Sequence, residues 1–157
     1  MEFYGTKRIK AVAMSRSAYN EYRNWSLPAN ENGDDDGFLV EYIDGGARND
    51  DRHEGYISWS PHDVFVKHYQ SVTEGMSFGH AVEALKAGNR VARAGWNGKG
   101  MWLRYVSAGS YDVGVKTMEG ADKLLPWIGM KTADGGFVPW LASQTDILAD
   151  DWVEVAA

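Results

Sequence analysis

Apolar and polar positions along this chain come in short runs, and the runs separate strands, short helices and turns. Lys7 to Ala13 reads as a strand, and Ser15 then stands where a side-chain oxygen can cap a helix from Arg16 to Arg23 carrying Tyr19 and Tyr22. Trp25 closes that element. Pro28 to Gly37, PANENGDDDG, holds almost only turn and charged residues and predicts a solvated loop. Phe38 to Ile43 alternates as a strand, Asp44-Gly45-Gly46 is a turn, and Gly55 to Trp59 is a second, aromatic-rich strand. Ser60-Pro61 predicts the start of a helix through Val64, Phe65 and His68, with Ser60 as cap and Pro61 in the first turn.

Beyond His68 the helical pattern stops, and Gln70 to Gly75 reads as a linker between a module over 1–72 and one over 73–157. Ser77 can cap a helix from Phe78 to Ala87, in which Phe78, Ala81, Val82 and Leu85 repeat at helical spacing and Gly88 ends the run. Arg90 to Ala92 and Met101 to Val106 predict strands around the turn-rich Gly95 to Gly100, where Asn97-Gly98 is the strongest turn signal. Trp127 to Lys131 and Phe137 to Trp140 flank Asp134-Gly135-Gly136 as a hairpin. Ser143, three residues before Asp146, gives a capping-box-like helix start, and Trp152 to Val155 is a closing strand. No internal repeat interrupts this order.

Charge and composition then remove several functions. The 157 residues are 44% hydrophobic and 13% aromatic with seven tryptophans, enough large apolar surface to form a core and line a pocket. A formal net charge of −6 argues against a DNA or RNA polymer as partner, because that affinity needs clustered Lys and Arg. With no cysteine, disulfides, thiolate metal sites and cysteine nucleophiles are ruled out. No window approaches the roughly 18 apolar residues of a membrane span, and the N-terminal stretch lacks a signal peptide's apolar run, so the expected location is the cytoplasm.

The candidate catalytic and metal motifs are weak. Gly75-Met76-Ser77-Phe78-Gly79 matches a nucleophile-elbow pattern formally, but that motif needs a buried strand before the serine, and helix capping is the better reading of Ser77. His53, His62, His68 and His80 show no i, i+4 pair of the kind that holds zinc in a helix. Asp34-Asp35-Asp36 lacks the alternating ligands and distal Glu of a calcium loop. No catalytic residue, metal or cofactor is assigned.

Two features point instead to ligand binding. Gly95, Gly98 and Gly100 around Lys99 suit either a backbone-exposing turn near an anion or a plain hairpin turn. Trp96, Trp102, Trp127, Trp140 and Trp152 crowd the second half, where each either fills core or offers a face for a base. Trp96 and Trp140 favour the second role because each adjoins a turn and polar residues.

The segments MSFGHAVEALKAGNRVARAGWNGKGMWL and LPWIGMKTADGGFVPWLASQTDILADDW carry the combination Arg93-x-Gly95-Trp96-Asn97-Gly98, Pro139-Trp140 and Ser143-Gln144-Thr145-Asp146. Over about Met76 to Val155 this closely resembles the phage Thoeris anti-defence sponge family of the second type. The resemblance implies an α+β fold of antiparallel sheets with short helices, here in two small modules, that assembles into homo-oligomers, typically tetramers. It implies capture, without degradation, of the glyco-cyclic ADP-ribose immune signal, and in some members of cyclic oligonucleotides of the CBASS system, in the cytoplasm of an infected bacterial host. Carried over by position, the ligand-facing residues are Phe78, Arg93, Trp96, Asn97, Trp140, Gln144, Thr145 and Asp146, with Lys99 added as a phosphate donor. Phosphate falls to Arg93 or Lys99, and Asp146 belongs at a sugar or base because it repels phosphate. The first module resembles a small phage protein family of unknown function. The rival readings are a hydrolase of the same nucleotides and a protein-interaction adaptor.

Overall fold

Two units divide the chain in the computed structural model, Met1–Tyr69 and Gln70–Ala157. Residues 1–3, 5–96, 100–111 and 123–156 are described.

The first unit is a three-stranded antiparallel sheet in the order β1-β2-β3, built from Ile9–Ala13, Gly37–Tyr42 and Tyr56–Pro61. Helix α1, Arg16–Tyr22, starts where Ser15 Oγ accepts the Ala18 amide at 3.3 Å. Tyr19 from that helix meets Leu39 and Ile57 from the sheet in the unit's core, flanked by Met14, Tyr22 and Trp59. Gly37, read as the end of a loop, is instead the buried first residue of β2. The Trp59 ring lies so close that a Cβ there would stand 2.4 Å from it.

Helix α2, His62–His68, corrects the expected start at Ser60-Pro61. Ser60 and Pro61 are still ladder residues of β3, opposite Phe38 and Gly37, so Pro61 takes extended angles (φ −56°, ψ 147°) and itself holds the cap position. No side chain caps the helix. The first amide, that of His62, donates to Asp36 O at 3.0 Å instead. Phe38 stacks on Phe65 of this helix with centroids 4.0 Å apart.

The second unit has helix α3, Phe78–Lys86, on a five-stranded antiparallel sheet ordered β7-β6-β5-β4-β8. Its strands are β4 Arg90–Arg93, β5 Trp102–Val106, β6 Trp127–Lys131, β7 Phe137–Pro139 and β8 Trp152–Val155, with helix α4, Gln144–Ile147, before the last. Both units are therefore α+β with antiparallel sheets and short helices, as the sequence indicated. Ser77 caps α3 by accepting the His80 amide. At the other end Gly88 (φ 93°) and Asn89 donate back to Leu85 O and Ala84 O, closing the helix as a Schellman motif.

Ala81, Ala84 and Leu85 from α3 meet Met76, Val91, Leu103 and Trp152 in the core. Burying a large apolar side chain contributes about 1.5–3 kcal/mol, so this cluster is the main source of the unit's stability. Gln70 to Gly75, read as a linker, runs beside β8. Val72 O accepts the Glu154 amide at 2.7 Å, and Met76 and Trp152 exchange both backbone hydrogen bonds. These bonds tie Val72 and Met76 to β8 within the second unit. No helix of the described residues is long and apolar enough to cross a membrane.

Candidate functional site

Four aromatic side chains converge at one corner of the second unit because their elements end there. Phe78 is the first residue of α3, Trp96 ends the 3-10 turn Ala94–Trp96 after β4, Trp140 follows β7, and Trp152 opens β8. Trp152 is fully buried, and the other three are half-buried around it. Its ring lies 5.4 Å from Phe78, 5.5 Å from Trp96 and 5.9 Å from Trp140, centroid to centroid, while Trp96 and Trp140 stand 6.5 Å apart and edge-on. The tilted and T-shaped angles are those aromatic pairs prefer, since edges are electropositive and faces electronegative. The Trp152 indole N–H is not left unpaired in this apolar setting; it donates to Asp146 O at 2.9 Å.

An ionic frame holds this cluster. Arg93 pairs with Trp152 across the β4–β8 ladder, and its guanidinium carbon sits 5.8 Å from the centre of the Trp152 ring. Arg93 Nε donates to Asp151 Oδ1, and Nη1 donates to Asp146 Oδ1 at 2.9 Å and to Thr145 O at 3.4 Å. The Asp151 bond, followed by the Asp146 bond, raises the arginine above its ordinary pKa against the opposing effect of burial. For Asp151, burial pushes the pKa up, but the Arg93 bond and the Gly95 amide at 3.1 Å outweigh it, and the carboxyl lies below its ordinary value. Asp146 is also the reciprocal partner of the capping box of α4. Its amide donates to Ser143 Oγ at 3.1 Å, and its Oδ2 accepts from the Ser143 hydroxyl at 2.6 Å and amide at 3.3 Å.

The residues singled out from the sequence thus fall into three groups. Phe78, Trp96 and Trp140 form the half-exposed aromatic rim, and Gln144 and Thr145 are exposed on α4 beside it. Arg93 and Asp146 are already matched to each other, so they position the rim rather than stand open. Asn97, Gly98 and Lys99, with the turn expected there, lie outside the described residues. Sequence reasoning missed Trp152 as the centre of the cluster and Asp151 as the second partner of Arg93. The DDW run at Asp150 to Trp152 was the available signal.

Ser77, the candidate elbow serine, is a helix cap preceded by a single bridge at Met76 rather than by a strand. Its hydroxyl is 3.3 Å from His80 Nδ1, which also contacts Gln70 Oε1 at 2.8 Å. No group of three or more metal-binding side chains gathers among the described residues. The first unit holds a half-buried chain of hydrogen bonds that periodicity could not reveal: Glu41 Oε2 meets His53 Nδ1 at 3.1 Å, and His53 Nε2 meets the Tyr22 hydroxyl at 2.8 Å. The Gly55 amide, followed by His53 and the Glu54 amide, holds Glu41 below the ordinary carboxylate pKa against the effect of burial. These bonds fasten the β2–β3 connection to α1.

A small antiparallel α+β domain with a tryptophan rim fixed by an arginine and two aspartates is the class that fold and site define. Residues 76–155 match the model of the Thoeris anti-defense 2-like domain, Tad2-like, and the chain belongs to that phage anti-defence family. It is 43% identical over 81 residues to a protein of Bacillus phage SP01 named Thoeris anti-defense 2, an alignment covering 49% of this chain and 91% of the relative. The family match lies within the second unit.

Proposed function

We propose that the second unit binds a cyclic nucleotide immune signal of the glyco-cyclic ADP-ribose type and sequesters it intact, in the cytoplasm of the infected host. The observation that carries this reading is the pair of half-buried indoles, Trp96 and Trp140, held on the buried Trp152. A base has a flat apolar face and stacks on such a ring with about 1–3 kcal/mol, whatever its sequence identity. A rim fixed before the ligand arrives loses little conformational freedom on binding. Gln144 and Thr145 offer donors and acceptors for ribose hydroxyls or a base edge. Since Arg93 is matched by Asp146 and Asp151, the phosphate falls to Lys99, the other candidate donor. Cyclic oligonucleotides share the same flat bases and phosphates and are the second ligand class.

Retention without cleavage fits the commitment of Asp146, Asp151 and Ser77 to other partners. Both aspartates are bound by Arg93, and Ser77 caps α3. The test is incubation with a panel of cyclic nucleotides, thermal-shift measurement, and mass spectrometry of the ligand after the complex is denatured. Intact ligand and a raised melting temperature are expected. A cleaved product would establish the hydrolase instead. Trp96→Ala and Trp140→Ala are each expected to weaken binding by about 1–3 kcal/mol, roughly tenfold or more in Kd, while the protein remains folded. Unchanged affinity in both folded variants would end the stacking assignment.

The same reading includes self-association. Leu141, Ile147 and Leu148 are 92%, 46% and 78% exposed on the segment that carries Trp140 and α4. Apolar side chains of this size exposed together mark an interaction surface. Light scattering is expected to give a homo-oligomer, with the tetramer as the favoured state. Leu141→Asp combined with Leu148→Asp shifts it toward the monomer, and a wild-type monomer at micromolar concentration would remove this part.

A further inference from the structure

Each of the two sheets has two edges, and three of the four are closed by the chain itself. An edge strand presents unpaired N–H and C=O groups to any other strand, so proteins ordinarily cover or interrupt it. In an antiparallel ladder alternate residues bond inward, and one bond therefore fixes which groups face out. On β8 the outward residues are Trp152 and Glu154, whose amides donate to Met76 O and Val72 O at 3.1 and 2.7 Å. On β7 the Trp140 amide donates inward to Ile128 O, which leaves Phe137 and Pro139 facing out, and proline has no N–H. On β3 the outward residues are Ile57, Trp59 and Pro61, because the His62 amide continues the ladder inward to Asp36 O. The Asn49 side chain takes both groups of Ile57, accepting its amide at 2.8 Å and donating to its carbonyl at 2.9 Å. Pro61 again lacks the donor.

The fourth edge, β1, has no such guard. The Met14 amide donates to Gly37 O at 2.9 Å, so Lys10 and Val12 also bond to β2, and Ile9, Ala11 and Ala13 turn their N–H and C=O groups outward. Among the described residues nothing bonds to those groups. Lys10 to Ala13 are exposed, Val12 to 60%. No proline, glycine or bulge interrupts the run IKAVA.

The sequence of the strand selects what covers it. A second β1 laid antiparallel about Ala11 pairs Ile9 with Ala13 and Ala11 with Ala11, so every outward group finds a partner. Lys10 then stands opposite Val12, and its aliphatic stem covers a side chain that is otherwise exposed. Centring the pair on Lys10 would set two ammonium groups against each other, and centring it on Val12 would leave Ile9 without a strand partner. We infer that β1 of the first unit pairs antiparallel with β1 of a second copy of this chain, centred on Ala11, and joins two three-stranded sheets into one of six strands. Such a two-fold contact is self-complementary, as a symmetric interface must be. It lies outside the family match and uses neither the tryptophan rim nor the Leu141 surface of the second unit.

The chain has no cysteine, so single cysteines report the register. In a non-hydrogen-bonded antiparallel pair the Cα atoms stand about 4.5 Å apart, within the roughly 4.4–6.8 Å that a disulfide spans. The full chain is made as Lys10→Cys and as Val12→Cys, both at exposed positions, and each is oxidised alone and as an equal mixture. A disulfide-linked dimer is expected from the mixture and little from either variant alone. Ala11→Glu sets two carboxylates opposite each other and is expected to lower the mass seen by light scattering by about half, and an equal mixture with Ala11→Lys to restore it. Circular dichroism checks that both variants are folded. Leu141→Asp combined with Leu148→Asp leaves the mixed cross-link in place, so the two association surfaces are tested separately. The inference is overturned if the mixture cross-links no better than the single variants, if Lys10→Cys or Val12→Cys alone links best, or if folded Ala11→Glu keeps the wild-type mass.

Discussion

Trp152→Ala is expected to destabilise the second unit by about 3–5 kcal/mol, the range for truncating a fully buried large aromatic. Trp152 has 0% exposure and touches Phe78, Trp96 and Trp140 with its ring. Alanine would leave a cavity beneath all three and orphan the Asp146 carbonyl that accepts the indole N–H. Small domains are stable by only about 5–15 kcal/mol in total, so the variant forfeits a large share of the margin. Chemical denaturation followed by the fluorescence of the second unit's tryptophans measures the loss. Trp152→Phe should recover part of it, since it restores ring packing but not the hydrogen bond. Trp96→Ala, at a half-exposed position, is expected to cost less stability and more affinity. If Trp152→Ala unfolds within about 1 kcal/mol of wild type, the cluster is not the keystone of the unit and the packing argument fails.

The elements that were legible in the sequence are those whose signals are local. Ser77, the Phe78, Ala81 and Leu85 spacing, and Gly88 define α3 without reference to anything else in the chain, because capping and helical periodicity act within a few residues. The β6–β7 hairpin is likewise marked by its own turn, where Thr132 and Gly136 pair across Asp134-Gly135. Ser60-Pro61 misled because local cap chemistry competed with a longer-range fact, the ladder of β3 against Gly37 and Phe38. The polar composition of Gln70 to Gly75 likewise carries no trace of the backbone bond from the Glu154 amide to Val72 O.

The candidate site divides along the same line. Trp96 and Trp140 could be singled out by their neighbours in sequence. The partners of Arg93 could not, because Asp146 and Asp151 reach it only after β8 pairs with β4. The Tyr22–His53–Glu41 chain is a third case, joining α1, a loop and β2 through side chains with no shared period. Charge pairing between distant segments is fixed by tertiary closure, and hydrophobic pattern carries no record of it.

That hidden pairing gives the second large effect. Arg93→Met keeps most of the apolar stem but removes the cation, leaving Asp146 and Asp151 facing the same space. The side chains of Arg93, Asp146 and Asp151 are 20%, 17% and 36% exposed, between surface and interior. Surface pairs contribute about 0–1 kcal/mol and loss of one partner of a buried pair costs about 3–5, so a cost of about 2 kcal/mol is expected. The sign of the pH dependence distinguishes this from a simple packing defect. In the wild type the Asp151 pKa is depressed, so its stabilisation is present above the ordinary carboxylate value and is lost as the pH falls through the folded value. Without Arg93, burial and the neighbouring Asp146 are opposed only by the backbone amides of Gly95 and Asp151 itself, and the folded value moves upward. A carboxyl whose folded pKa lies above its unfolded one destabilises the fold at neutral pH and ceases to do so as the pH falls through that raised value. The stability gap between wild type and Arg93→Met should therefore narrow from neutral toward mildly acidic pH. Denaturation curves at matched ionic strength across that window measure it. A gap that stays constant would show that Arg93 acts through packing alone and that the two aspartates do not depend on its charge.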